Sequence, residues 1–418
     1  MRKILLLIST LFIFNSCFTD VVEDIEIKEI NAKSIEELTK NLDFKSLKSV
    51  SNTTKFPILA WLGVPEKQTS IERFQEMKDA GINYNYSYYT HIDSLQKALD
   101  IAKQLDIKML VRCPELFNDT ENTVRRFLDH PANGGYHLRD EPHISELSTL
   151  KTLINKIESI DDSRFTIINL FPNQAEPHLD TSYEEYVNQF VTGIPLKLLS
   201  FDHYPIIGNS LSIAWYENLE LIKRIADKQH IPFWAFALTT AHDPYPIPDI
   251  NQLRLQVFSN LAYGAKGIQY FTYWTQVSKT WNFYSGPIEV NGDKTIVYDL
   301  IKQMNSEIQV YSNIFTSTVV TKVSHYGEIP RGTVPFTKAP YFIKDISIRG
   351  GNALLSEMRN GDNSFLMIQN TNLYNEIGLK IETDSLTSII LKNGYIIPAF
   401  VIKEEFKLTP GDIVLFMR

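Results

Sequence analysis

Two adjacent carboxylates followed by a proline, Asp140-Glu141-Pro142, end the β-prone run Gly134-Gly135-Tyr136-His137-Leu138-Arg139. A second run ends in Asp202-His203-Tyr204-Pro205. Carboxyl groups presented in pairs can divide acid-base work: one gives a proton to a leaving group while the other attacks or activates water. Whether they do so depends on what brings Glu141, Asp140 and Asp202 together.

From residue 56 onward, β-branched or aromatic runs alternate with amphipathic stretches. The strand candidates are residues 57–64, 82–89, 107–113, 135–140, 165–171, 198–204, 232–239 and 267–274. Residues 70–80 put Phe74 and Met77 on one helical face, and 92–105 do the same with Leu95, Leu99 and Ala102. Strand then helix, repeated eight times, predicts a (β/α)8 barrel. A doubly wound sheet would call for a Gly-rich first turn, which is absent.

Such a barrel collects chemistry at the C-terminal ends of its strands. Those ends carry Trp61 and Glu66; Asn83, Asn85 and Tyr88; Arg112 and Glu115; Arg139, Asp140 and Glu141; Asn169; Asp202, His203 and Tyr204; Trp234, His242 and Asp243; and Tyr270, Tyr273 and Trp274. Acids, amides and flat aromatic surfaces together suit a sugar. Side-chain alternation places His137, Arg139 and Glu141 on the lumen face of strand four, with Tyr136, Leu138 and Asp140 outside. On strand six it places Asp202 and Tyr204 inside, Leu199 and Phe201 outside. The expected catalytic set is therefore Glu141 and Asp202 with Asp140 in support. The expected sugar contacts are Trp61, Asn85, Tyr88, Arg139, Asn169, His203, Tyr204, Tyr273 and Trp274. Asp140 has a second reading, as a cap for a helix starting near Pro142.

The rest of the 418-residue chain bounds these expectations. Arg2 and Lys3 precede an apolar run, Ile4 to Phe14, of signal-peptide length and too short to span a bilayer. Phe14-Asn15-Ser16-Cys17 resembles a bacterial lipobox, which implies a lipid on Cys17 and membrane attachment. The acidic residues Asp20, Glu23 and Asp24 resemble surface-export tails, implying an outer-membrane lipoprotein facing outward, with the periplasm as the other side. Residues 1–17 are thus read as leader, 18–51 as a polar tether, 52–308 as the barrel and 309–418 as a small all-β sandwich. In that last segment Asn360-Gly361 and Asn393-Gly394 signal hairpins. A net charge of -8 with no long basic run excludes a nucleic-acid footprint. Cys113 is the only other cysteine, and the nine histidines lack zinc spacing, so neither a disulfide framework nor a metal or other cofactor is expected. Nothing in the sequence bears on oligomeric state.

Eight strands, Asp140-Glu141-Pro142, Asp202-His203-Tyr204-Pro205 and Tyr270-Phe271-Thr272-Tyr273-Trp274 resemble clan A glycoside hydrolases. A barrel followed by a β-sandwich is similar to bacterial β-galactosidase-like members and to Bacteroides polysaccharide-utilisation lipoproteins, over residues 56 to 418. The resemblance implies hydrolysis of a carbohydrate, with the acid/base glutamate of strand four falling on Glu141. Asp140 stands where the clan has Asn. The clan's nucleophile is a glutamate at the end of strand seven, and Phe233-Trp234-Ala235-Phe236-Ala237-Leu238-Thr239-Thr240 contains none. Three readings stay open: a second carboxylate from Asp202, or less favourably Glu115 or Asp243; an Asp140/Glu141 pair like that of substrate-assisted N-acetylhexosaminidases; or a barrel that binds glycans without cleaving them.

Overall fold

The computed structural model describes residues 30–418, so the expected leader and Cys17 lie outside the described residues. Eight parallel strands close into a barrel: β1 (Ile58–Trp61), β2 (Tyr84–Tyr86), β3 (Lys108–Val111), β4 (Asn133–Asp140), β5 (Thr166–Leu170), β6 (Leu199–Phe201), β7 (Phe233–Leu238) and β8 (Ile268–Phe271). β8 returns to β1 with Phe271 opposite Trp61. The main barrel helices, in chain order, are α1 (Ile71–Asp79), α2 (Ile92–Gln104), α3 (Thr120–Phe127), α4 (Leu147–Glu158), α5 (Tyr183–Gly193), α6 (Trp215–Gln229), α7 (Ile250–Ala262) and α8 (Ile296–Val310). α1 starts where Ser70 accepts the Arg73 N–H, and it buries Phe74 and Met77 against the barrel.

Alternation sorts the strands into two cores. Ile58, Ala60, Met109, Val111, Ile168 and Phe201 face the helices. Leu59, Trp61, Tyr86, Leu110, Ile167, Leu198, Trp234 and Phe236 fill the interior. Each fully buried large side chain of this kind contributes about 1.5–3 kcal/mol. The filling is tight enough to dictate a glycine: a Cβ on Gly267 would stand 2.5 Å from the Trp234 ring.

The C-terminal unit holds two antiparallel sheets. One has six strands in the order β9 (Val319–Tyr326), β11 (Ala353–Asn360), β12 (Asn363–Asn370), β17 (Ile413–Met417), β14 (Ser388–Ile390), β15 (Ile396–Pro398). The other pairs β10 (Ile343–Arg349), β13 (Ile377–Thr383) and β16 (Phe406–Leu408), and Lys33–Ser34 adds to β16 in parallel. The six-stranded sheet is buried on both faces. Leu354, Met358, Phe365, Met367 and Leu415 join the barrel's outer core, whereas Leu355, Leu366, Ile368, Val414 and Phe416 face the second sheet. Polar groups fix the docking on α7: Ser356 Oγ donates to Ala262 O (2.7 Å), and Gln369 Nε2 donates to Leu255 O (3.2 Å). α7 is accordingly buried nearly all round.

Residues 30–50 correct the expected tether. Ile35 is buried between the sheets, with Leu38, Leu42, Phe44 and Leu47 packed beside it. The Val50 N–H donates to Gly394 O at 2.8 Å. The charged residues between these apolar positions hide a spacing that needs the second sheet as its partner.

Candidate active site

The site begins with an irregularity in β4. Pairing of β4 with β5 shifts between His137 and Arg139, so one extra residue opposes its neighbour. A bulge of this kind reverses the parity of every side chain beyond it. His137 still faces the interior, its ring centroid 4.1 Å from that of Tyr86, and Leu138 faces the helices. Arg139 then turns away and forms a bidentate pair with Glu146, Nε to Oε2 at 2.7 Å and Nη2 to Oε1 at 3.1 Å. Asp140 turns in, accepting from Asn169 Nδ2 at 3.1 Å. Glu141 follows in the left-handed region, φ 47°, with its N–H donated to Asn169 O at 2.8 Å. The expectation that Arg139 shares the lumen with Glu141 while Asp140 lies outside is therefore corrected. Nor does Asp140 cap a helix: Glu146 caps the following turn through the His143 N–H (3.1 Å).

β6 keeps its alternation. Ser200 points in and Leu199 and Phe201 point out. Beyond the strand, Asp202 and Tyr204 approach each other and the β4 acids. His203 faces the other way. It is fully enclosed between Gln174 and Asn218, and burial pushes its imidazole down to about 4. It belongs to the helix layer, not to a sugar-contacting surface.

Three carboxyl groups thus converge, and their electrostatics differ. Burial, then the Asp140 charge, pushes Glu141 up to about 7. Burial also holds Asp202 well above the ordinary carboxyl range, reinforced by Glu141 and Asp140 and opposed by Tyr204 and Asn169. Asp140 is raised by desolvation, against which Asn169, Arg139 and Arg112 all favour its charge. It keeps solvent contact at the rim, so its shift reflects crowding by the walls, not enclosure. Of the three, Asp140 has the most partners that favour its charge, and that charge raises both of its neighbours.

Several expected sugar contacts lie elsewhere. Trp61 is packed between Tyr86 (4.6 Å) and Phe236 (5.0 Å) and forms part of the floor. Asn85 points outward and accepts the Val64 N–H at 3.2 Å. Tyr273 and Trp274 are buried in the outer core, Trp274 under the Arg73 guanidinium at 5.4 Å. Strand-end position alone did not reveal these inversions, because each side chain leaves the last barrel layer for a packed surface. Glu115 accepts the Ile92 N–H at the start of α2 (3.1 Å), and Asp243 binds Asn282 in an outer loop (2.9 Å). Neither is among the groups that shift the three acids.

Tyr88 is half exposed at the rim, its hydroxyl accepting from Arg112 Nη2 at 3.1 Å. The sequence reading missed Trp281, exposed on the loop after β8 with its ring centroid 5.8 Å from that of His242. A lone tryptophan in a polar loop was the only signal. It also missed Gln269 and Ser200, interior polar residues that alternation would have placed facing Asn169. Among the described residues no group of three His, Cys, Asp or Glu side chains is placed to hold a metal ion.

No family model and no curated protein matches the chain. Solved structures match its fold. A β-galactosidase from Bacillus circulans sp. alkalophilus is 9% identical, covering 88% of this chain and 100% of its own, with a TM-score of 0.60. A glucosidase from Croceicoccus marinus is 9% identical over 88% of this chain and 97% of its own, TM-score 0.47. An endo-β-1,4-mannanase from Thermotoga petrophila is 11% identical over 88% and 99%, TM-score 0.40. The chain has a glycoside hydrolase-like (β/α)8 fold followed by a β domain.

Proposed function

We propose that the chain is a glycoside hydrolase in which Glu141 is the general acid. One observation carries this: Glu141 is pushed up to about 7 at the mouth of a barrel, beside Asp140, whose charge Asn169, Arg139 and Arg112 favour against its desolvation. A carboxyl group that keeps its proton near neutral pH can deliver it to a leaving glycosidic oxygen as the C–O bond breaks. Tyr88, Tyr204 and Trp281 would offer flat surfaces to sugar rings. A carbohydrate lipoprotein role, with Cys17 as anchor, belongs to the same reading.

The bulge favours one division of labour. With Asp140 turned inward and Asp202 held well above the ordinary carboxyl range by burial, the carboxyl group whose charge is best supported sits next to Glu141, not across the barrel. That suits a substrate-assisted reaction: Asp140 orients a 2-acetamido group, whose oxygen attacks the anomeric carbon while Glu141 protonates the leaving group. Glu141, then ionised, takes the proton from the water that completes hydrolysis.

Aryl glycosides with and without a 2-acetamido group test both statements. Turnover restricted to the acetamido sugars, lost in Glu141→Gln with calorimetric binding retained, is the expected result. Turnover of 2-hydroxyl sugars would shift the second role to Asp202. Oligosaccharide binding with no turnover of any substrate would make the protein a glycan-binding barrel.

A further inference from the structure

The barrel interior contains a directed chain of hydrogen bonds that ends on Asp140. Gln269 on β8 donates from Nε2 to Ser200 Oγ at 2.8 Å. Ser200 on β6 donates from Oγ to Asn169 Oδ1, also at 2.8 Å. Asn169 on β5 donates from Nδ2 to Asp140 Oδ1 at 3.1 Å. All three residues before the acid are buried, with exposures of 1% or less.

The direction of this chain follows from chemistry. An ionised carboxylate only accepts, so Asn169 must turn its NH2 toward Asp140 and its oxygen toward Ser200. A hydroxyl facing an amide oxygen must donate to it, which leaves its lone pairs for the Gln269 NH2. A protonated Asp140 would not need this order: it could donate to the Asn169 oxygen, and the whole chain could reverse. Four strands, β8, β6, β5 and β4, each supply one member, so the arrangement is held by the barrel frame and not by a mobile loop.

We propose that Gln269, Ser200 and Asn169 are positioning residues that act as a relay, fixing Asp140 as the ionised member of the acid pair and thereby keeping the proton on Glu141. This deepens the hydrolase reading and rests on it for its catalytic meaning, but the relay itself is a property of the folded protein. The charged groups within electrostatic reach of Asp140 are Arg112 just after β3, Arg139 beside it on β4, Glu141 just after β4 and Asp202 just after β6. Titratable Tyr86 on β2 and Tyr204 after β6 also face it. The arginines favour the charge at the rim; the relay is what approaches it from the interior. Hydrogen bonds given to the charged form of an acid favour that form, and a like charge beside a second acid favours its protonation.

The test is carboxyl 13C NMR titration of the full chain, with Asp140 and Glu141 assigned through Asp140→Asn and Glu141→Gln. In Ser200→Ala the Asp140 midpoint is expected to rise and the Glu141 midpoint to fall, each by about half a pH unit or more. Ser200→Thr, which keeps the hydroxyl, should titrate like the wild type. If Ser200→Ala fails to fold, Ser200→Cys replaces the hydroxyl with a weak donor and should shift both midpoints in the same directions. A folded Ala or Cys variant with both midpoints unchanged overturns the relay. In the pH profile of kcat/KM, the alkaline limb should move to lower pH with Glu141. NMR shifts without any measurable turnover would uphold the relay while removing the hydrolase reading, so the two fail separately.

Discussion

The ends of β4 and β7 face the same mouth and are built in opposite ways. At β4 the backbone breaks its register, and two acids emerge into the site. At β7 the chain closes on itself: Thr239 and Thr240 donate from their hydroxyls to Thr272 O, both at 2.9 Å, and the Thr272 N–H returns a bond to Thr240. The first end spends backbone regularity on exposing charge; the second satisfies its polar groups internally and offers none. Catalytic potential in this barrel therefore sits on the β4 to β6 side. The missing glutamate of strand seven is matched by a stitched strand end, not by a vacant position.

The largest expected effect sits at β4. If the protein is the proposed hydrolase, Glu141→Gln should lower kcat about 10²–10⁴-fold, the usual worth of a general acid, measured on an aryl glycoside that the wild type turns over. Next comes the contrast between the two aspartates. Asp140→Asn removes the acid whose charge Asn169, Arg139 and Arg112 favour, whereas Asp202→Asn removes one that burial holds toward its neutral form. The loss of kcat in the first should exceed that in the second by about tenfold or more. The reverse order would move the working carboxylate to β6 and break the comparison.

A smaller effect concerns stability. Glu141 has a folded pKa of about 7 against an ordinary value of 4.5, so the native state holds a proton that the unfolded chain releases. Stability is then lost as pH rises from about 4.5 to about 7, and stays lost above. Glu141→Gln removes that penalty. The variant should be more stable than wild type by about 1–2 kcal/mol near pH 8, allowing for solvent screening, and equal to it near pH 4, by urea unfolding. A variant with no advantage at the higher pH would mean that the site does not strain the glutamate.

The smallest effect belongs to β7. Thr239→Val should cost about 0.5–1.5 kcal/mol through the lost bond to Thr272 and leave kcat within about twofold. A large fall in kcat would show that the stitched end takes part in the reaction after all.

The eight barrel strands were legible because each is a short apolar run bounded by an amphipathic helix, and that rhythm survives without any knowledge of neighbours. The β domain was legible only in part. Ala353–Asn360 is buried over five of its eight residues, whereas Ile343–Arg349 alternates with charges at a sheet edge, and Phe406–Leu408 is three residues long. The segment from Ile30 to Val50 looked like a polar tether because its apolar residues find their partners more than 300 residues away, as Phe44 does with Tyr395. Within the site, Glu141, Asp140 and Asp202 were named from their strand ends, and alternation assigned Leu199 and Phe201 to their correct faces. It failed at Arg139 because a bulge has no reliable sequence mark, and at Trp61 and Trp274 because strand-end position does not say whether a ring faces solvent or packing.

The order of strands, the barrel they form, the absence of a strand-seven glutamate and the identity of the acids follow from the sequence, since periodicity and residue type are local properties. Which acid carries the charge is not local. It depends on one extra residue between His137 and Arg139, on the left-handed turn at Glu141, and on Gln269, Ser200 and Asn169 arriving from three other strands. Burial and hydrogen-bond direction exist only after closure of the barrel, and those two quantities decide where a proton rests.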